Sequence, residues 1–95
     1  MTITVVLAED QLMVLGALST LLGLEADITV VGTASDGEEA VRLVEALRPD
    51  VLLTDIEMPE MSGLDCLERL HEVGFAGEVL MITAVEDGAT RRAAL

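Results

Sequence analysis

Four short runs rich in Val, Ile, Leu and Thr constrain the fold of this chain more than any other feature. They are residues 2–8 (Thr-Ile-Thr-Val-Val-Leu-Ala), 28–33 (Ile-Thr-Val-Val-Gly-Thr), 51–54 (Val-Leu-Leu-Thr) and 78–83 (Glu-Val-Leu-Met-Ile-Thr). Runs of this length read as strands, and a continuous apolar run such as Val51-Leu52-Leu53 reads as a central strand covered on both faces. The segments between them carry helical signals. Residues 11–24 are apolar nearly all round, through Leu12, Met13, Val14, Leu15, Ala17, Leu18, Leu21, Leu22 and Leu24, which predicts a helix covered on more than one side. Ser35 followed by Glu38 has capping-box spacing. The helix after it carries Ala40, Val41, Val44 and Leu47 on one face, and Pro49 closes it. Ser62 with Asp65 opens a third helix, with Leu64, Leu67, Leu70 and Val73 inward and Gly74 at its end. Residues 86–95 begin a fourth. The order βαβαβαβα with short connections predicts an α/β fold, a doubly wound parallel sheet with right-handed crossovers, in one domain over residues 1–95.

Composition narrows the function. The chain has 95 residues, 52% of them hydrophobic, with one Phe and neither Trp nor Tyr, so its single core is aliphatic. Eighteen acidic residues against five basic ones give a net charge of -13, which argues against binding to nucleic acid or an anionic membrane, since phosphates need a basic footprint. One Cys excludes an internal disulfide and suits a reducing compartment. No apolar stretch reaches membrane-span length, and the N-terminus lacks a charged region followed by a cleavage site. A cytoplasmic location is the expectation.

In an open parallel sheet the carboxyl ends of the strands share one edge, and ligands bind outside them. The first run ends in Glu9-Asp10, the third in Asp55 and the fourth in Thr83, so these four residues gather although they are distant in sequence. A lone acid at a strand end is ordinarily a turn former or helix cap, and Asp10 by itself carries no more than that. Three acids at two adjacent strand ends, with a hydroxyl at another, point to chemistry. Carboxylates in one cleft repel, and each raises the proton affinity of the others; a divalent cation resolves the conflict. Oxygen donors with room for waters favour Mg²⁺ over Zn²⁺, and no Cys or His is placed to compete. His71 reads as part of a solvated helix surface and Cys66 as a small core or boundary residue.

The block Pro49-Asp-Val-Leu-Leu-Thr-Asp-Ile-Glu-Met-Pro-Glu-Met-Ser-Gly63 carries a more specific signal. Together with Glu9-Asp10, the Asp36-Gly37-Glu38-Glu39-Ala40 loop and Thr83-Ala84, it resembles the receiver domains of bacterial two-component response regulators, along the whole chain. The nearest flavour is that of receivers preceding a LuxR-type helix-turn-helix domain. The resemblance implies a flavodoxin-like fold with strand order 2-1-3-4. It implies that Asp55 accepts a phosphoryl group from a sensor histidine kinase. It further implies that Asp10, Asp55 and the backbone carbonyl of Glu57 hold Mg²⁺, with Glu9 acting through water, and that Thr83 senses the phosphoryl group and shifts the fourth strand and helix. In that picture the chain is not an enzyme, and DNA is contacted only through a separate C-terminal domain.

Receivers of this family continue through a fifth strand, which ends in a Lys that pairs with the phosphoryl group, and a fifth helix. This sequence stops before both and contains no Lys; its basic residues are Arg42, Arg48, Arg69, Arg91 and Arg92. The resemblance therefore reads residues 1–95 as a receiver truncated at its C-terminus. Such a chain leaves the strand from Val79 to Ile82 as an open apolar edge and one flank of the first helix uncovered, which predicts self-association into a homodimer. Two rival readings stay open: a Mg²⁺-dependent phosphohydrolase, which wants a second Asp where Glu57 stands, and a receiver that signals by contact without phosphate.

Overall fold

Each of the four β-branched runs is a strand, and each of the first three is followed by a helical crossover that returns the chain to the same edge. The computed structural model describes residues 1–55 and 63–82. These form β1 (Ile3–Ala8), α1 (Leu12–Gly23), β2 (Ile28–Ala34), α2 (Gly37–Leu47), β3 (Val51–Asp55), α3 (Gly63–Glu72) and β4 (Glu78–Ile82). The sheet has the order β2-β1-β3-β4 with every pair parallel, as expected. The fourth helix expected over residues 86–95 lies outside the described residues.

The crossovers assign the helices to faces. The chain steps outward from β1 to β2 through α1, then back past β1 to β3 through α2 and on to β4 through α3. Right-handed crossovers place α1 on one face and α2 with α3 on the other. The core lies on the α2/α3 face: Val6, Ala8, Ala34 and Leu52 from the strands meet Ala40, Val41 and Val44 from α2 and Cys66 and Leu70 from α3. Each fully buried Val or Leu there contributes about 1.5–3 kcal/mol of transfer free energy.

The other face is thinner. Val5 and Leu7 are buried on it, Val51 and Leu53 are half-buried, and Leu80 is 54% exposed. Covering of β3 on both faces is thus realised fully on one face only, because α1 packs over β1 and β2. Of the two expectations for α1, cover on more than one side and one uncovered flank, only the second fits. The helix has no buried residue, and its outer face shows Leu12 and Met13 at 74% and 89% exposure; among the described residues no element lies over that face.

Two local expectations are also displaced. The cap of α2 is Asp36, whose carboxylate accepts from the Glu39 amide at 2.8 Å, while Glu39 accepts from the Ser35 amide at 2.9 Å. The box therefore sits one residue later than Ser35/Glu38. β2 stays paired as far as Ala34, opposite Ala8, and this delays the turn. In α3 the inward residues are Cys66 and Leu70 with Val73 at the margin, whereas Leu67 is exposed; packing beside α2 turns the helix toward its small residue. Ser62 lies outside the described residues.

At the amino edge, Asp50 binds the strands together. Its carboxylate accepts from the Thr4 amide at 2.9 Å and the Thr4 hydroxyl at 3.1 Å. Its own amide donates to Thr4, and its carbonyl accepts from the Glu78 amide at 3.0 Å. Arg48 ends α2 in the left-handed region (φ 46°) and donates to the carbonyls of Val73 and Gly74 at the end of α3. Gly77 is obligatory here, since a Cβ would stand 2.6 Å from the Asp50 carbonyl oxygen and against the Phe75 ring. No helix among the described residues is long and apolar enough to cross a membrane.

Candidate functional site

β1 and β3 are parallel neighbours with Ala8 opposite Thr54, so the next residue on each strand, Glu9 and Asp55, emerges side by side at the carboxyl edge. Asp10 follows immediately. One carboxylate oxygen from each of Glu9, Asp10 and Asp55 lies within 4.8 Å of the others. The three acids that the sequence assigned to one edge do converge. Thr83 and Glu57 lie outside the described residues.

The acids are not equivalent. The Glu9 amide donates to the Ala34 carbonyl at 2.9 Å, which prolongs β1 pairing with β2 by one residue and draws Glu9 under the surface, to 3% exposure. Asp10 is exposed and Asp55 half-buried. Glu9 Oε2 accepts from the Asp10 amide at 3.1 Å. Burial, a hydrogen bond to Asp55 and the charges of Asp55 and Asp10 push the Glu9 carboxyl up to about 7, against the opposing pull of the Asp10 amide. A hydrogen bond between two carboxyl groups requires a proton, which the raised Glu9 carboxyl favours.

A cluster of this kind fits a small dication. All donors are hard oxygens, and oxygens on opposite sides of one Mg²⁺ stand about 4.2 Å apart, close to the spread found here. A cation there would favour the ionised form of Glu9. Among the described residues this is the one group of three or more potential metal-ligating side chains. A pocket of about 440 Å³ lies at the opposite edge of the sheet, lined by Arg48, Asp50, Phe75 and Glu78 among others, and contains none of the three acids.

Sequence reasoning passed over Thr54. It is fully buried and its hydroxyl donates to the carbonyl of Asp55 at 3.1 Å. The available signal was a hydroxyl in an otherwise aliphatic run, directly before the acid. Cys66 is a buried core thiol whose ionisation burial pushes up, and His71 is exposed, in line with expectation.

Comparison with known proteins gives a consistent picture. Residues 5–95 match the family described as the response regulator receiver domain. The uncharacterized transcriptional regulatory protein YvfU of Bacillus subtilis is 51% identical over 81% of this chain and 38% of its own length. The transcriptional regulatory protein DesR of the same organism is 43% identical over 96% of the chain and 45% of its own. The chain thus spans less than half the length of these curated relatives. Protein-glutamate methylesterases are among the further relatives. Among solved structures, the signal receiver domain of the response regulator NarL from Mycobacterium tuberculosis superposes with a TM-score of 0.84 at 31% identity, over 98% of this chain and 75% of that one.

Proposed function

The chain belongs to the response regulator receiver domain family of two-component signalling, and from that premise we propose that Asp55 is its phosphoryl acceptor. A carboxylate oxygen of Asp55 attacks the phosphorus of a phosphohistidine on a sensor histidine kinase. The P–O bond forms as the P–N bond breaks, and the departing imidazole takes up a proton. Glu9, Asp10, Asp55 and the backbone carbonyl of Glu57 are the residues that would hold Mg²⁺. When bound, the cation neutralises charge on the phosphoryl oxygens so that two anions can approach. Asp55 supplies the nucleophile, Glu9 acts on the cation through water, and Thr83 donates to a phosphoryl oxygen, biasing the fourth strand and helix.

The observation that carries this reading is the convergence of Glu9, Asp10 and Asp55 at adjacent strand ends. The module works as a switch in the cytoplasm and not as a turnover enzyme. Its output is control of transcription through DNA-binding residues outside these 95, whose charge is wrong for a phosphate backbone. Copies associate as homodimers through β4, the edge strand among the described residues, or the outer face of α1.

The test is intact mass after incubation with Mg²⁺ and acetyl phosphate, beside Asp55→Ala. One added phosphoryl group in the native chain and none in the variant is the expected result. Addition that persists in Asp55→Ala, or no addition to a folded native chain, would overturn the assignment.

A further inference from the structure

Among the described residues two polar side chains are buried, Glu9 and Thr54, and both bear on Asp55. Glu9 reaches its carboxyl group from β1. Thr54 reaches its main chain: the hydroxyl donates to the Asp55 carbonyl at 3.1 Å. Thr54 stands between Ala8 on β1 and Met81 on β4, one step behind the acids. Leu52, two residues earlier and on the same face of the strand, is an apolar core residue, and Val would fill the Thr54 site with nearly the same shape. A hydroxyl in so dry a layer costs desolvation and adds nothing to packing. What it does is couple the side chain before Asp55 to the peptide group after it.

We infer that Thr54 is a positioning residue for Asp55, holding the peptide at which β3 leaves the sheet and so aiming the carboxylate that receives the phosphoryl group. The inference rests on Asp55 as acceptor. The contact spans the two main-chain torsions of Asp55, so it fixes the Cα–Cβ direction relative to the outgoing chain. In-line attack tolerates little error in that direction. The hydroxyl touches no reacting atom; it acts through Asp55.

The test compares Thr54→Val and Thr54→Ser with the native chain and Asp55→Ala. It uses three readouts: melting temperature by circular dichroism, Mg²⁺ affinity by calorimetry, and the phosphorylation rate constant at saturating Mg²⁺ and acetyl phosphate. Thr54→Val should melt at or above the native temperature, yet react about tenfold or more slowly at saturation. Thr54→Ser should lose some thermal stability with the methyl group but recover most of the rate. That opposition of stability and rate is not produced by a merely structural residue. Native rate in Thr54→Val, or Thr54→Ser as slow as Thr54→Val, overturns the inference. If Thr54→Val does not fold, Thr54→Ala supplies the same comparison. A native chain that takes up no phosphoryl group removes the acceptor reading itself, and this inference with it.

Discussion

Asp50 precedes β3 and Asp55 ends it, and the fold treats the two carboxylates in opposite ways. Asp50, at the amino edge, accepts two hydrogen bonds from Thr4 on β1 while its carbonyl takes the amide of Glu78 on β4. Its negative charge meets donors, and each bond joins one strand to another. Asp55, at the carboxyl edge, meets Glu9 and Asp10, two more acids. Burial, with the hydrogen bond to Asp55 and the charges of Asp55 and Asp10, raises the Glu9 carboxyl to about 7. One edge spends a carboxylate on cohesion. The other stores repulsion that a cation can release.

Substitutions sharpen the contrast. The largest expected effect is at the cohesive edge: Asp50→Ala removes two charge-assisted acceptor contacts and should lower stability by about 2–3 kcal/mol in urea unfolding followed by circular dichroism. A loss below about 0.5 kcal/mol would erase the distinction between the edges. At the reactive edge the sign reverses. Because the folded-state value for Glu9 is raised from 4.5 to about 7, the metal-free folded chain binds more protons than the unfolded chain between those values. Its stability should therefore fall as pH rises through that window and stay low above it. Glu9→Gln should flatten this dependence and make the metal-free protein the more stable one at pH 8, while weakening its Mg²⁺ affinity. A variant that is less stable than the native chain at pH 8 would contradict the stored repulsion. The smallest effect is expected away from both edges. Arg69 and Glu38 pair across α2 and α3 at 3.4 Å with both side chains nearly half exposed, and Arg69→Ala should change stability by less than about 0.5 kcal/mol.

Much of this was legible in the sequence, for reasons that particular residues make plain. The four strands were readable because β-branched runs alternate with helical segments, and parallel strands with short crossovers leave few topologies. That same topology brought Glu9, Asp10 and Asp55 together on paper, since strand ends share an edge. The sequence could not say which acid is buried. Glu9 sinks because its amide continues the pairing with Ala34, a matter of how far β1 and β2 stay in register. The α2 cap was ambiguous for a related reason: Ser35, Asp36, Glu38 and Glu39 offer two capping boxes one residue apart, and strand pairing chooses between them. In α3, Leu67 and Cys66 compete for the interior, and packing against α2 decides for the smaller side chain. Thr54 was passed over because a hydroxyl in an aliphatic run marks the position but not the direction of the hydroxyl, which periodicity does not encode.

The outer face of α1 has a consequence in solution. Between Asp10 and Glu25 the sequence carries no charge, so the exposed apolar face that Leu12, Met13, Leu21 and Leu24 give this segment is also electrically blank, on a chain with net charge -13. Repulsion between copies acts over the Debye length, about 30 Å in 0.01 M salt and about 8 Å at physiological ionic strength. Attraction between two such faces acts only at contact. If the proposed association uses this face, dilute buffer should hold the molecules apart and added salt should remove the barrier while leaving the face unchanged, so ionic strength would set the range at which one copy first feels another.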